Sequence, residues 1–535
     1  MITMWWYLLF TFSSCWFVTT ASDLPQNVLL ILTDQERFHT HWPIGFVEQH
    51  LPNFARLQRH GLTFRRAYTG STMCTPARAT MLTGQYAEIT GVSSTLNPMG
   101  PPSNDTLPPR TVLPNVMSSA SPVGNPRAVA WKGKWHLSYA KDGMENWSED
   151  DIEHLSSVYG ANGWTPPDAG NTDIGTFLQN ASLSLGTLGG GFAANDERCL
   201  TGRHGTTEGW GQSALTFLQQ SAALNQTFFL AVSFVNPHDV WVPGPYRRAA
   251  GYDPSLYQNL TQITMPQNRE DNLTTKPSVQ KKWVDALNHS DPLNGTDEEL
   301  DYVRFYAYLH TVVDAQIGRL LDTLDELGLT NDTVIVRTSD HGEAGLSHGG
   351  QREKAYSAYE EVIHIPLVVS SPKLFPDGPV ETDAFYSHVD LMPTLLDLGG
   401  EVAPPISSGI SQLPVILRQV ESVRDKVLFA FDDAMMLPTQ TEASHIRAIR
   451  MEQWMYAVYY NPPGSEGTSP LFEYELYDLS VDPLQVNNLM HRERVRERDG
   501  HLLKNLHKEL TKMLREANAL QEKMWRVWPE TPPQE

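Results

Sequence analysis

The chain has 535 residues, of which 40% are hydrophobic and 19% are charged, so it holds enough apolar material for a large folded core. Its 40 Lys and Arg residues stand against 62 Asp and Glu residues, which gives a formal net charge of −22. This negative charge excludes nucleic acid as a partner, because binding to a phosphate backbone requires a basic surface. An anionic substrate would therefore need a local cluster of positive charge.

Residues 1–21 have the pattern of a signal peptide. The apolar run 5–18 is followed by small residues, which place a cleavage point after Ala21. Residues 1–4 contain no Lys or Arg, so an uncleaved anchor is the alternative, although the run is short for a membrane span. No stable membrane span is expected in the rest of the chain.

Asn-x-Ser/Thr sequons indicate that the chain is N-glycosylated. Together with the leader, they predict a protein of the secretory pathway, located outside the cell or in a lumen of the lysosome or vacuole type. The nine sequon residues are Asn104, Asn146, Asn180, Asn225, Asn259, Asn272, Asn288, Asn294 and Asn331.

Four short apolar segments have the length and β-branched content of buried parallel strands. Helical periodicity lies between them and is clearest over residues 302–327. This alternation predicts an α/β fold with a large, mainly parallel sheet sandwiched by helices, which places a functional site at the carboxyl ends of the strands. The four segments are 28–33, before Asp34; 128–131, before Lys132; 228–235, before Asn236; and 334–339, before Asp340.

The pattern changes at about residue 405. Segments 445–451, 454–460 and 473–479 predict a smaller antiparallel sheet, and residues 492–527 predict a helix packed on it. Residues 259–299, rich in Asn, Thr and Pro, are predicted to form a long surface excursion. The expected organisation is thus a signal peptide over 1–21, a catalytic domain over 22–404 and a C-terminal α+β subdomain over 405–535.

Residues 74–78, Cys-Thr-Pro-Ala-Arg, are the first candidate for chemistry. Taken alone, they are equally consistent with a buried cysteine before a helix that has Pro in its first turn. Cys74 and Cys199 are the only cysteines after residue 21, so a disulfide between them is another possible fate in an oxidising compartment.

With Leu-Thr-Gly at 82–84, the segment 74–78 resembles the signature of the type I, formylglycine-dependent sulfatases of the alkaline phosphatase superfamily. The resemblance implies an alkaline-phosphatase-like fold and the hydrolysis of an organic sulfate ester to an alcohol and inorganic sulfate. Further segments similar to this family follow in the family's order: 133–136 (Gly-Lys-Trp-His), 237–238 (Pro-His), 339–342 (Ser-Asp-His-Gly), 353–354 (Glu-Lys) and 477–479 (Tyr-Asp-Leu).

The resemblance implies that Cys74 is oxidised to formylglycine, with the formylglycine-generating enzyme as a partner during biosynthesis. The hydrate of that aldehyde offers two hydroxyl groups on one carbon, one to attack sulfur and one to release the sulfate afterwards. Covalent catalysis of this kind divides a difficult hydrolysis into two easier steps.

The resemblance also implies a divalent cation held by Asp34, Gln35, Asp340 and His341, together with the modified Cys74. Many family members carry Asp where this chain has Gln35 and Asn where it has His341. The Asp34-Gln35 and Asp340-His341 pairs of this chain look more like the choline-sulfatase and phosphonate-monoester-hydrolase branch. An Asp-His pair also occurs in sulfatases of sulfated sugars. Calcium is the predicted ion because carboxylates suit hard cations, and manganese, which imidazole favours, and magnesium are alternatives.

Positive charge for the sulfate, or for the oxyanion of the nucleophile, is expected from Arg78, Lys134 and Lys354. By the resemblance, His238 protonates the leaving alcohol and His136 accepts a proton when sulfate is released, although these two roles can be exchanged.

The predicted substrate is a sulfated small molecule or glycan, and two alternatives to a sulfatase remain. The same nucleophile and cation could cleave a phosphate diester or a phosphonate monoester, or the chain could be a non-catalytic glycan-binding relative. Glu343 is a further candidate for contact with the substrate or with a metal ligand.

Overall fold

The structure is a computed structural model. It describes residues 24–96, 107, 111–119, 127–141, 147–166, 199–201, 213–248, 250–405, 407–433, 442–461, 471–491, 500–520, 522–525 and 527–530. The predicted signal peptide and the sequons at Asn104, Asn146 and Asn180 lie outside these residues. Among the described helices, none is both long and apolar enough to cross a membrane.

The large sheet contains β1 (Asn27–Asp34), β2 (Gly61–Tyr68), β3 (Ala128–Gly133), β4 (Phe228–Pro237), β5 (Thr333–Ser339), β6 (Leu367–Ser370) and β7 (Val380–Ser387). Its strand order is β3-β4-β1-β5-β6-β2-β7. Only β6 runs antiparallel to its neighbours, β5 and β2, within this sheet. The prediction of a mainly parallel sheet is therefore confirmed.

Helices cover both faces of this sheet, as β1 shows. Every residue of β1 is buried, and its side chains alternate between two cores. Leu30 packs in the core that includes helix Cys74–Thr83, whereas Leu29 packs in the core that includes helix Thr296–Glu326. Because both faces are covered, the ends of the strands are the places where polar side chains can gather.

The longer helices are Pro52–Arg59, Cys74–Thr83, Glu149–Tyr159, Ala214–Ala223, Ser278–Ser290, Thr296–Glu326, Leu391–Leu398 and Gly500–Glu516. The shorter ones are Phe46–His50, Ala87–Thr90, Leu113–Ser119, Gly244–Arg247, Ser255–Gln258, Ser347–Gly350, Glu360–Ile363, Leu413–Ile416 and Glu522–Trp525.

A second sheet, fully antiparallel, lies in the C-terminal region. It consists of β8 (Lys426–Phe431), β9 (His445–Met451), β10 (Trp454–Tyr460) and β11 (Phe472–Asp478), in the order β11-β10-β9-β8. One face packs against helix Gly500–Glu516 through Leu506 and Leu510, and the other packs against Trp283 and Tyr359. The predicted antiparallel sheet with a helix on it is confirmed.

The prediction that residues 259–299 form a surface excursion is wrong for part of this stretch. Helix Ser278–Ser290 buries Val279, Gln280 and Trp283. The Gln280 amide donates to the Tyr459 hydroxyl of β10 at 3.1 Å. The helix was missed because the segments on either side of it are rich in Asn, Thr and Pro, which dominate the composition of the whole stretch.

A buried cluster of charged residues joins helix Ala87–Thr90 to the small antiparallel sheet. Glu88, in helix Ala87–Thr90, pairs with Arg447 of β9. The same guanidinium donates to Asp432 through Nη1 at 2.7 Å and Nη2 at 2.9 Å. Burial, with the nearby Asp432, raises the pKa of Glu88 to about 8 against the attraction of Arg447.

We expect the folded chain to lose stability as pH rises from about 4.5, the ordinary pKa of a glutamate, to about 8, the raised pKa of Glu88. The folded state holds the proton on Glu88 throughout this range, whereas the unfolded state has released it, so stability is greatest below the range. Glu88→Gln should remove a contribution on the order of a few kcal/mol from this pH dependence.

The measurement is Tm against pH for the wild type, Glu88→Gln and the surface control Glu421→Gln. The control should follow the wild type because Glu421 is exposed. If the Tm of Glu88→Gln showed the same dependence on pH as the Tm of the wild type, Glu88 would not titrate in this range.

Candidate functional site

The carboxyl ends of four neighbouring strands meet at one edge of the large sheet. Each of β3, β4, β1 and β5 is hydrogen-bonded to the next in that order, so residues that follow them lie side by side. The predicted site residues at these ends are Lys134 and His136 after β3, His238 after β4, Asp34 at the end of β1, and Asp340 and His341 after β5.

Cys74 is the first residue of helix Cys74–Thr83, and this helix begins at the same edge of the sheet. Pro76 fits the first turn, where a backbone N–H has no helical partner, and Gly84 ends the helix with a φ of 65°. The positive end of the helix dipole favours negative charge on the Cys74 side chain. No disulfide joins Cys74 to Cys199.

The thiol of Cys74 lies at the centre of the site. Its Sγ is 3.3 Å from His341 Nε2, 3.8 Å from Lys134 Nζ and 3.9 Å from Asp34 Oδ1. Burial and Asp34 raise the pKa of Cys74, but Lys134, Lys354 and His341 outweigh them, so the pKa of this thiol is lowered. The surroundings therefore stabilise an anion at position 74.

Four side chains at this point could hold a metal ion. Ligand atoms of Asp34, Cys74, Asp340 and His341 all lie within 4.8 Å of one another. The His341 Nδ1 atom lies 3.0 Å from the Gly342 carbonyl, to which it donates, so Nε2, which faces Cys74 Sγ, is the ring atom that could bind a metal. Burial and the like charge of Asp34 raise the pKa of Asp340. A divalent cation fits this donor set, since it would offset the repulsion between the two carboxylates.

Arg78 is buried behind the two carboxylates, and all three of its guanidinium nitrogens have partners. Its Nη2 is 2.8 Å from Asp34 Oδ2 and its Nε is 3.1 Å from Asp340 Oδ2. Its Nη1 donates to the Lys134 carbonyl and to the Ser233 hydroxyl, both at 2.9 Å. The Arg78 guanidinium thus connects the two carboxylates to β4 and to the segment after β3, and its predicted contact with the sulfate or with the oxyanion of the nucleophile stays a prediction.

Gln35 links Lys354 to the site. It has a φ of 66°, and its backbone N–H donates to Asp340 Oδ1 at 3.1 Å. Its side-chain Oε1 accepts a short hydrogen bond from the Lys354 ammonium group. Its Nε2 donates to Glu343 Oε2 at 2.6 Å. The amide thus lies between a cation and an anion.

His136 and His238 are both buried beside cationic groups. Burial, followed by Lys134, lowers the pKa of His136 well below its ordinary value. Burial, followed by Lys354 and Lys134, has the same effect on the pKa of His238. Both rings are therefore neutral at neutral pH, and an anion bound nearby would raise their pKa values.

Gly133 sets the direction of the segment that carries Lys134 and His136. It has a φ of 84°, and a Cβ added there would lie 2.1 Å from the Ser233 carbonyl oxygen. Such a contact cannot be accommodated without moving backbone. Glycine is thus required at this strand end.

We expect Gly133→Ala to cost about 3 kcal/mol or more of unfolding free energy, because it adds overpacking to left-handed strain. It should also lower kcat/KM, since it displaces Lys134. The matched control is Gly91→Ala: Gly91 has a φ of 75°, and its added Cβ would meet no atom within 4 Å. The control should cost only about 1 kcal/mol. Denaturant unfolding would measure both losses, and equal values would show that the Ser233 contact has no effect.

Two family models match this chain. The model described as sulfatase matches residues 26–401, and the model described as N-sulphoglucosamine sulphohydrolase, C-terminal, matches residues 351–516. Among curated relatives, the N-acetylglucosamine-6-O-sulfatase of Bacteroides thetaiotaomicron is 23% identical, with 90% of this chain and 85% of that protein covered. Arylsulfatase K of Mus musculus is 23% identical, with 86% of this chain and 76% of that protein covered.

Solved structures have the same fold. A protein solved in complex with its substrate D-glucosamine-2-N,6-O-disulfate has a TM-score of 0.61 and 20% identity, with 94% of this chain and 99% of that chain covered. The phosphonate monoester hydrolase of Agrobacterium radiobacter has a TM-score of 0.61 and 21% identity, with 92% of this chain and 96% of that chain covered. Because the sulfatase model matches more than half of the chain, this chain belongs to the sulfatase family and is a sulfuric ester hydrolase with an alkaline-phosphatase-like fold.

Proposed function

We propose that this sulfatase removes sulfate from a sulfated glycan, using a formylglycine made from Cys74 together with a divalent cation. The observation that carries this proposal is the position of Cys74. Its side chain starts a helix and lies within 4 Å of a lysine, an aspartate and a histidine at the strand ends. These groups suit an oxygen nucleophile that carries negative charge.

The cation would be held by Asp34, Gln35, Asp340 and His341, with an oxygen of the modified residue 74. Bound there, it would neutralise charge on the sulfate and lower the pKa of a hydroxyl group at position 74. The oxygen atoms of two carboxylates and one amide favour calcium. Manganese is the alternative because one ligand is an imidazole nitrogen.

The hydrated formylglycine would supply one hydroxyl to attack sulfur and a second to expel the sulfate. Lys134, whose Nζ is 2.6 Å from Asp34 Oδ2 and 3.8 Å from Cys74 Sγ, stabilises negative charge on the attacking oxygen. Arg78 keeps Asp34 and Asp340 in place. The net reaction consumes one water and gives the alcohol and inorganic sulfate.

The two buried histidines, His136 and His238, transfer the protons. A neutral His136 suits the base that accepts a proton as sulfate is released. His238 protonates the leaving alcohol, and the negative charge of the bound sulfate raises the pKa of its ring toward the protonated form. The reverse assignment uses the same geometry, so substitution of each histidine is needed to separate the two roles.

A sulfated sugar is the substrate we propose. The support is similarity to an N-acetylglucosamine-6-O-sulfatase and to a protein solved in complex with a disulfated glucosamine. The alternative is a phosphonate monoester or phosphate diester, which the similarity to a phosphonate monoester hydrolase favours. Both substrate classes place a tetrahedral anion against the same cationic groups.

We further propose that the protein passes through the secretory pathway as an N-glycoprotein. The leader-like residues 1–21 support this. All six sequon asparagines among the described residues are exposed, which a glycan requires. They are Asn225, Asn259, Asn272, Asn288, Asn294 and Asn331.

The first test is mass spectrometry of the peptide that contains residue 74, from protein secreted by a eukaryotic host with its modifying enzyme. We expect the mass of formylglycine or its hydrate. Rates on paired aryl sulfate and aryl phosphonate esters, and on sulfated N-acetylglucosamine, would then rank the substrates. An unmodified thiol, when a control sulfatase is converted in the same host, would contradict the mechanism and favour a non-catalytic glycan-binding protein.

A further inference from the structure

Glu343 is a fully buried carboxylate whose hydrogen-bonding capacity is filled by four donors. Its Oε1 accepts from the Tyr302 hydroxyl at 2.8 Å, the Gly345 N–H at 3.0 Å and the Glu353 N–H at 2.9 Å. Its Oε2 accepts from Gln35 Nε2 at 2.6 Å. With no exposed surface and both oxygens engaged, Glu343 has no atom left for a substrate.

The amide of Gln35 has only one orientation that satisfies its neighbours. An ammonium group only donates hydrogen bonds, and Glu343 Oε1 is an acceptor because two backbone N–H groups donate to it. Gln35 lies between the Glu343 carboxylate and the Lys354 ammonium, so Nε2 has to face Glu343 and Oε1 has to face Lys354. Rotating the amide by 180° would place donor against donor and acceptor against acceptor.

The backbone of Gln35 is held as firmly as its side chain. Its N–H donates to Asp340 Oδ1, and its carbonyl accepts from the Tyr306 hydroxyl at 2.6 Å. The side-chain torsions are then the remaining freedom of this residue. Lys354 holds Oε1, and Nε2 donates to Glu343 at 2.6 Å and more weakly to Glu353 Oε2 at 3.3 Å, so Glu343 is the nearer of its two acceptors. The oxygen of the amide is thereby kept facing the Lys354 ammonium group, on the side opposite Glu343.

We propose that Glu343 is a positioning residue that fixes the Gln35 amide with its oxygen toward the cation site. The inference rests on the proposed function, in which Gln35 is a ligand of that cation. Glu343 therefore acts through Gln35 and touches neither the cation nor the substrate. An amide ligand needs such a partner because only its oxygen can bind a cation, and a rotation of 180° would turn the nitrogen toward the cation instead. An aspartate does not have this problem, since both of its carboxylate oxygens can be ligands.

The test is a double-mutant cycle on Ca²⁺ binding by the full chain, measured by calorimetry for the wild type, Glu343→Gln, Gln35→Ala and the double variant. Glu343→Gln places a side-chain amide opposite Gln35 Nε2. The NH₂ group of that amide can donate a hydrogen bond but cannot accept one from Nε2, so Gln35 loses its fixed orientation. We expect Glu343→Gln alone to raise the Kd for Ca²⁺ by roughly 10- to 100-fold. In the Gln35→Ala background, the same change should raise the Kd by less than about threefold.

The matched control is Glu361→Gln, which neutralises a buried glutamate that pairs with His348 and Asn268 instead of Gln35. It should leave the Kd within about threefold of the wild type. If Glu343→Gln does not fold, Tyr302→Phe removes one donor to Glu343 and should weaken Ca²⁺ binding several-fold, again only when Gln35 is present.

Equal weakening with and without Gln35 would overturn the positioning role and leave Glu343 as a purely structural residue. A wild-type chain that binds no Ca²⁺ would overturn both this inference and the calcium site. Because the cycle is measured on Ca²⁺ binding alone, failure to hydrolyse sulfate esters would count against the proposed function only.

Discussion

Cys74→Ser should lower kcat/KM for a sulfate ester by at least about 10⁴-fold. A serine hydroxyl has a single oxygen, so it could attack sulfur but could not then expel the sulfate as an aldehyde hydrate can. The substitution is nearly isosteric at a site with partners for a hydroxyl, so we expect the unfolding free energy to change by only about 1 kcal/mol. Steady-state kinetics and thermal unfolding would measure the two effects.

Cys199→Ser is the matched control, because Cys199 is also buried but its thiol lies beside Gly133, where an added Cβ would come within 3.1 Å of Sγ. It should retain activity, and the peptide that contains residue 74 should keep its modification. Cys74→Ser with more than about a tenth of wild-type activity would refute formylglycine as the nucleophile at position 74. Equal losses in both variants would instead point to a general effect of removing a buried thiol.

Asp34→Asn should have the second largest effect, because Asp34 supports both the fold and the chemistry. Its carboxylate pairs with Arg78 and Lys134, and all three side chains are essentially without exposed surface. Removing one partner of a buried ionic group leaves uncompensated charge and typically costs about 3–5 kcal/mol. We also expect kcat/KM to fall by at least about 10³-fold, since a cation ligand and the partner of Lys134 are both altered.

Asp314→Asn separates the two effects. Asp314 is a buried carboxylate that accepts from the Asn53 and Phe54 N–H groups, at 3.0 and 2.8 Å, at the start of helix Pro52–Arg59. Its replacement should reduce stability, but the folded fraction should keep kcat/KM within about threefold of the wild type. Ca²⁺ should raise the Tm of the wild type and of Asp314→Asn but not that of Asp34→Asn. A Ca²⁺-dependent Tm in Asp34→Asn would remove Asp34 from the cation site.

The strands that bear the site could be predicted because burial on both faces makes them continuous apolar runs. β1, β4 and β5 are buried at every residue. The strands at the other side of the sheet lack this signal: β2 contains Arg65 and Arg66, which are not buried, and β6 has only four residues. These strands acquire their structure from pairing with neighbours, which local sequence does not report.

The side chains of the site were predictable one by one, but their mutual contacts were not. The Ser233 hydroxyl accepts a hydrogen bond from the Arg78 guanidinium. Ser233 lies within β4, 155 residues away from Arg78 in the sequence, so no local sequence pattern predicts this contact. Nor does the sequence show that Arg78 faces the two carboxylates. Glu343 was recognisable only as a nearby acid, because its role depends on four donors that come from three other parts of the chain.

The burial of Cys74 sets a constraint on the order of events during synthesis of the protein. Only 2% of this residue is exposed, and every other residue of helix Cys74–Thr83 is buried as well. An enzyme that recognises the segment around Cys74 needs to bind several of its side chains, which the folded chain hides. The proposed oxidation therefore requires that this segment has not yet folded, and molecules that fold first with a thiol at position 74 would stay inactive for as long as they remain folded.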